Sequence, residues 1–156
     1  MSGMDRSKFK HRTEVGVRNY EVDWQGVVHN ANYLNYFELG RIEYLKYLGF
    51  KVDVSTIQDD AKIVLVRNEI NYKAPARFDD LLSIFTRVIY IRNTSFAFEG
   101  VIEAGVTGRT ISENIAIHVW LDRRTGEPVT VGEDFRKKVQ QFEKENVAIF
   151  GPSLYT

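Results

Sequence analysis

A chain of 156 residues with 21 basic and 21 acidic side chains carries no formal net charge, and its length favours one domain. It contains no cysteine. This excludes disulfides, thiolate catalysis and cysteine-bound zinc, and makes a reducing, cytoplasmic setting the expectation. The balance of charge lacks the basic excess of a nucleic-acid binder, and no stretch is apolar for long enough to span a bilayer or act as a signal peptide.

No repeat, linker or low-complexity run divides the sequence, so residues 1–156 are expected to form one domain. Residues 1–10 are polar and expected to be flexible. His11 to Tyr20 reads as a strand with Val15 and Val17 on one face, and Gly26 marks a break. From Asn30 to Leu48 the residues follow a helical period: Tyr33, Phe37, Gly40, Tyr44 and Tyr47 fall on one stripe, widened by Leu34, Leu45 and Leu48. Such a helix is about 28 Å long and too apolar to lie on a surface. Asn30 is a candidate N-cap and Gly49 a candidate C-terminal stop.

Strand patterns fill most of the rest. Lys62 to Lys73 places Val64, Val66, Ile70 and Tyr72 on one parity. Leu81 to Ile91 is dense in β-branched and aromatic residues, and Arg92 to Ser95 supplies a turn. Phe96 to Glu103 alternates again, and Ile111 to Leu121 sets Ile111, Ile115, Ile117, Val119 and Leu121 on one parity. A short strand at Val129 to Val131 precedes a final amphipathic helix, Glu133 to Glu145, within the closing segment 132–156. Consecutive strands joined by tight turns form an antiparallel sheet. One long helix enclosed by one curved antiparallel sheet is an α+β arrangement. The far side of so apolar a helix then calls for a partner subunit.

Three ordered segments carry a family pattern: Asp23 with Gly26-Val27-Val28, Asn32-Tyr33-Leu34, Tyr36-Phe37-Glu38 and Arg41; then NYKAPARFDD from Asn71 to Asp80; then IHVWLDRRTGEPV from His118 to Val129. With them the chain resembles the hotdog-fold acyl-CoA thioesterases of the 4-hydroxybenzoyl-CoA thioesterase type. The resemblance implies a curved antiparallel sheet wrapped around one central helix. It implies a homodimer, often a dimer of dimers making a homotetramer, with active sites between subunits. It further implies hydrolysis of an acyl-CoA thioester without a metal or organic cofactor.

By this resemblance Asp23 is the nucleophile or general base, and the backbone N–H of Asn30 polarises the thioester carbonyl. Gly26, Val28 and Tyr33 lie beside the substrate, and Arg92 is a candidate for the nucleotide end of coenzyme A. The residues alone leave other readings open. Aspartate before glycine commonly fixes a turn, and a turn arginine commonly points to solvent. Relatives often carry histidine where this chain has Asn30, which cannot transfer a proton. His29 comes one residue early, a rotation of about 100°, and reads equally as a cap. Glu38 and Arg41 are spaced to pair on the helix. Another branch of hotdog thioesterases uses a helix carboxylate about two turns in, so Glu38 is the reserve catalytic group. Asp79 and Asp80 read as turn residues, and His118 as a structural side chain of the sheet. A non-catalytic acyl-thioester binding module and a hotdog hydratase or dehydratase are the competing functions. No G-x-S-x-G elbow supports a serine hydrolase.

Overall fold

A computed structural model of the chain describes residues 4–53, 56–57 and 61–151. Its elements in chain order are β1 (His11–Gly16), α1 (Asn30–Tyr47), β2 (Thr56–Ile57), β3 (Ala61–Tyr72), β4 (Leu81–Ile91), β5 (Ser95–Ala104), β6 (Thr110–Asp122), α2 (Glu133–Glu143) and β7 (Ala148–Ile149). The sheet order is β1-β4-β5-β6-β3-β2, antiparallel throughout, with β7 parallel to the end of β4. Five longer strands thus curve around one central helix, the hotdog arrangement.

The helix seats on the sheet because Gly40 carries no side chain. A Cβ there would lie 2.6 Å from Thr86 Oγ1 and 2.7 Å from Ile84 Cγ2, both on β4. Tyr33, Phe37 and Tyr44 of the expected stripe are buried with it. Tyr47 is not: it is 68% exposed, as the stripe drifts off the sheet near the helix end. The opposite side of α1 presents Leu34, Glu38 and Lys46 to the outside. A second core lies between the C-terminal half of α1, β5 and α2, built on Phe96, Phe98, Phe135 and Val139.

The sheet departs from the expected strand faces in two places. Pairing of Phe96 with His118 and Phe98 with Ala116 carries the even-numbered residues of β6 onto the helix side. Asn114, Ala116, His118 and Trp120 therefore face the core, and Ile115, Ile117 and Val119 form a half-buried outer row. In β3 the register shifts between Leu65 and Arg67. This bulge at Val66 reverses the parity. Ile63 and Leu65 face the helix before it, and Asn68, Ile70 and Tyr72 after it.

Three expected boundaries also change. The first strand stops at Gly16, and a 3-10 turn at Asn19–Glu21 follows. There the Glu21 carboxylate accepts from the Arg18 amide at 2.8 Å and pairs with its guanidinium at 2.6 Å. Val129 to Val131 forms no strand: Pro128 makes an isolated bridge to Leu121, and the Val129 and Val131 amides donate to the Trp120 and Asn93 carbonyls at 3.0 and 2.8 Å. The opening segment is docked from Met4 onward rather than free. Phe9 is buried against Phe85, whose ring also carries the Arg6 guanidinium at 3.2 Å. Residues 1–3 and 152–156 of the two expected tails lie outside the described residues.

Candidate active site

The segment before α1 folds as a tight loop. The Asp23 amide donates to the Val27 carbonyl at 2.9 Å, and Val22 bridges Val28. Gly26 sits at φ +81° with open space where a Cβ would point. Its requirement is the left-handed backbone, not close approach of another group. Asp23 is exposed, and its Oδ1 accepts from the amides of Gln25 at 2.8 Å and Val27 at 3.2 Å. The turn-forming role of this aspartate is thus real. Its Oδ2 has no protein partner among the described residues.

The loop is fastened to the second motif segment. The Val28 amide donates to the Ala76 carbonyl at 2.8 Å, and the Ala76 amide donates to the Tyr33 hydroxyl at 3.0 Å. Val28 and Tyr33 are both buried. On the other flank the Glu21 carbonyl accepts from the His29 amide at 2.9 Å and from Asn32 Nδ2 at 2.8 Å. The Glu21 carboxylate accepts from Tyr36 at 3.1 Å. Burial pushes the Glu21 carboxyl up, but the hydrogen bonds from Arg18 and Tyr36 outweigh it and hold it below the usual range. Nothing in the sequence singled out Glu21, because its partners come from the turn and the helix together.

His29, not Asn30, is the N-cap of α1; its Nδ1 accepts from the Ala31 amide at 3.4 Å. Asn30 is the first helical residue, so its amide is one of the groups the helix itself leaves without a partner. No described residue accepts from it. The positive end of the helix dipole adds to its pull on an incoming oxygen. Beside this amide lies a cavity of about 260 Å³ lined by Val27, Val28, Asn30, Tyr33, Tyr72 and Pro75. The structure therefore gathers Gly26, Val28, His29, Asn30 and Tyr33 around one end of α1, with Asp23 on the adjoining loop.

Arg92 is elsewhere in the chain. It follows β4 at the end opposite Leu81, roughly 33 Å along the strand, and its guanidinium lies over the Tyr90 ring at 4.9 Å. The expected Glu38–Arg41 ion pair does not form. Glu38 is exposed, whereas Arg41 is buried and donates to Asn114 Oδ1 at 3.3 Å. The even-numbered face of β6 offers an acceptor that the assumed odd-numbered face lacked. Asp79 and Asp80 close the turn before β4: Asp79 takes φ 70°, and Asp80 Oδ2 accepts from the Arg77 amide at 2.9 Å.

A second, larger cavity of about 470 Å³ opens further along the seam between α1 and β3, lined by Glu38, Arg41, Leu45, Leu65, Phe98 and His118 among others. Among the described residues, no group of three His, Asp or Glu side chains is placed to hold a metal ion. No described helix is long and apolar enough to cross a membrane.

Residues 17–139 match the profile of the Thioesterase-like superfamily. The chain is 30% identical over 147 residues to the acyl-acyl carrier protein thioesterase ATL3, chloroplastic, of Arabidopsis thaliana, covering 94% of this chain and 76% of that protein. It is 28% identical over 133 residues to the long-chain acyl-CoA thioesterase FadM of Escherichia coli, covering 85% of this chain and 99% of that one. Among solved structures, a Thermus thermophilus thioesterase complexed with coenzyme A and Zn superposes with a TM-score of 0.75 at 27% identity, covering 87% of this chain and 96% of that one. The chain belongs to the thioesterase-like superfamily. It is a hotdog-fold thioester hydrolase.

Proposed function

We propose that this protein hydrolyses an acyl-CoA thioester, adding water across the carbonyl–sulfur bond to give a free carboxylic acid and coenzyme A. The observation that carries this reading is that Asn30, whose amide has no acceptor among the described residues, lines a cavity at the start of α1. A thioester oxygen seated there gains a hydrogen bond that strengthens as the oxyanion develops. Asp23 supplies the attacking group. Either its carboxylate adds to the carbonyl carbon and expels the CoA thiolate, leaving a mixed anhydride that water then hydrolyses, or it takes a proton from the water that attacks the carbonyl carbon and displaces the thiolate. The two backbone bonds to Oδ1 fix the carboxylate and leave Oδ2 for this step. Glu38 is the reserve base, exposed at the mouth of the larger cavity.

In one chain the site has a floor and few walls. Trp24 is 91% and Tyr20 73% exposed beside Asp23. Strand β3 pairs with β6 on one side and with β2 only at Ala61 and Lys62, which leaves the rest of its outer edge open among the described residues. An open edge flanked by exposed Leu65, Val66 and Tyr72 favours pairing with a second copy. A homodimer joined along β3 would cover the Asp23 loop and complete the cleft, and it is the assembly we propose.

Thiol release from a set of acyl-CoA and acyl carrier protein thioesters tests the activity and identifies the thiol carrier. Turnover of a CoA thioester is the expected result. Binding of acyl-CoA with no turnover would support the binding-module reading.

A further inference from the structure

The loop that carries Asp23 is a short hairpin. It is closed by bonds from the Asp23 amide to the Val27 carbonyl and from the His29 amide to the Glu21 carbonyl, both at 2.9 Å. Asp23 stands beside its tip, and Asn30 follows its far arm as the first residue of α1. How far the Asp23 carboxylate lies from the Asn30 amide is therefore set by how the hairpin sits on the helix.

Glu21 makes that attachment. Its carbonyl accepts from Asn32 Nδ2 at 2.8 Å, and its Oε1 accepts from the Tyr36 hydroxyl at 3.1 Å. Asn32 and Tyr36 are one turn apart on α1, so the helix grips one residue at two points along one face. From the other side the Arg18 amide donates to Oε1 at 2.8 Å and the Arg18 guanidinium to Oε2 at 2.6 Å. The His29 amide bond to the Glu21 carbonyl also places His29, whose Nδ1 and carbonyl occupy the Ala31 and Asn32 amides at 3.4 and 2.9 Å. The Asn30 amide is then the one left for an incoming oxygen among these first-turn donors.

Glu21 is only 5% exposed. Burial raises its carboxyl pKa, and the bonds from Arg18 and Tyr36 bring it below the usual range, so it is ionised at neutral pH. A buried carboxylate is costly unless its oxygens are bonded, and a fully bonded one holds its neighbours in one arrangement. We propose that Glu21 is a positioning residue of the thioester hydrolase reaction: through its bonds to Arg18, Asn32 and Tyr36 it holds the Asp23 carboxylate and the Asn30 amide at one separation. It touches neither the substrate nor the reacting carbon. The inference rests on the hydrolase reading for the reaction that those two groups carry out.

The test combines kinetics with amide hydrogen exchange on the full chain, using Glu21→Ala, Glu21→Gln, Tyr36→Phe and the Glu21→Ala/Tyr36→Phe double variant. Tyr44→Phe is the control, because it strips a buried hydroxyl from the other core, where that group bonds Glu143. On the acyl-CoA turned over best, Glu21→Ala should lower kcat at least about tenfold with KM within about twofold. Glu21→Gln keeps an acceptor for Tyr36 and should retain more turnover. Tyr36→Phe should lower kcat about fivefold alone and no further in the Glu21→Ala background. The Val27 and His29 amides should exchange at least about tenfold faster in Glu21→Ala and in Tyr36→Phe. Tyr44→Phe should lower stability and change neither kcat nor those two exchange rates.

An unchanged kcat in Tyr36→Phe, a loss that falls on KM instead, full additivity in the double variant, or an equal kcat loss in Tyr44→Phe overturns the inference. Tyr36→Phe decides the matter if Glu21→Ala does not fold. If the unmodified protein turns over no thioester, the hydrolase reading fails by itself. The exchange rates then decide the positioning role, and equal rates in Tyr36→Phe and the unmodified protein overturn it.

Discussion

The Tyr33 hydroxyl, on the first turn of α1, accepts a hydrogen bond at 3.0 Å from the amide of Ala76, 43 positions away in sequence. Both groups are buried. This bond, with the one from the Val28 amide to the Ala76 carbonyl, ties the loop before the helix to the Pro75-Ala76 turn. Tyr33→Phe keeps the ring's volume and strands the Ala76 amide. The expected loss is about 1–3 kcal/mol of stability, read by urea unfolding. A loss below about 0.5 kcal/mol would show that water or another group replaces the hydroxyl.

Gly26 tests the shape of the same loop. Its φ of +81° strains any L-residue with a side chain, and no atom stands where the Cβ would go. Gly26→Ala should cost about 1–2 kcal/mol, and Gly26→Asn less, since asparagine tolerates the left-handed region. Equal stability of the alanine variant and the unmodified protein would mean that the loop adopts another conformation in solution.

The fold was legible in the sequence where local pattern and tertiary contact agree. The span of α1 from Asn30, the limits of β4 and the inward face of Phe96 and Phe98 all followed from periodicity. The inward face of β6 did not. Its odd-numbered row of Ile115, Ile117 and Val119 is the more apolar one, but register with β5 decides which row meets the helix. The bulge at Val66 likewise has no local sign. Asn114 and His118 lie on the less apolar row, so periodicity alone did not point to their burial. The loop around Asp23 and Gly26 was readable from its turn chemistry. The cap role of His29 depended on a side-chain contact that spacing leaves undecided.

His118 should make the protein acid-sensitive. Its folded pKa is lowered to about 4, first by burial and then by Arg41, against an unfolded value of about 6.5. Above the unfolded value the residue is neutral in both states and contributes nothing. As pH falls below it, the unfolded chain takes up the proton first, so stability drops until the folded pKa is passed. The full cost is about 3 kcal/mol. His118→Phe should flatten this part of the stability profile between pH 6.5 and 4. Unfolding curves that run parallel for the two proteins across that window would contradict the burial of a neutral imidazole.

Glu143 gives the opposite slope. It is 0% exposed, and its Oε2 accepts from the Tyr44 hydroxyl at 2.6 Å and from the Val88 amide at 3.2 Å. Burial raises its pKa above the usual 4.5, and those two bonds offset only part of the rise. The folded state therefore holds the proton more tightly than the unfolded one. The resulting stabilisation is complete below pH 4.5 and is lost as pH climbs through the folded value. Glu143→Gln keeps an acceptor for Tyr44 and removes the titration. The melting temperature of the variant relative to the unmodified protein should rise from acid toward neutral pH; a constant difference would contradict the account.

The central claim is that the Asp23 carboxylate and the Asn30 amide act on one thioester carbon. The direct measurement is kcat for thiol release by the unmodified protein, Asp23→Asn and Glu38→Gln on the acyl-CoA that the unmodified protein turns over best. Asparagine preserves the turn bonds at Oδ1 and loses only the negative charge. The account predicts a fall of at least roughly 100-fold in kcat for Asp23→Asn, with Glu38→Gln retaining most turnover. Full turnover by Asp23→Asn, with Glu38→Gln inactive, would contradict it and move the chemistry to the helix carboxylate.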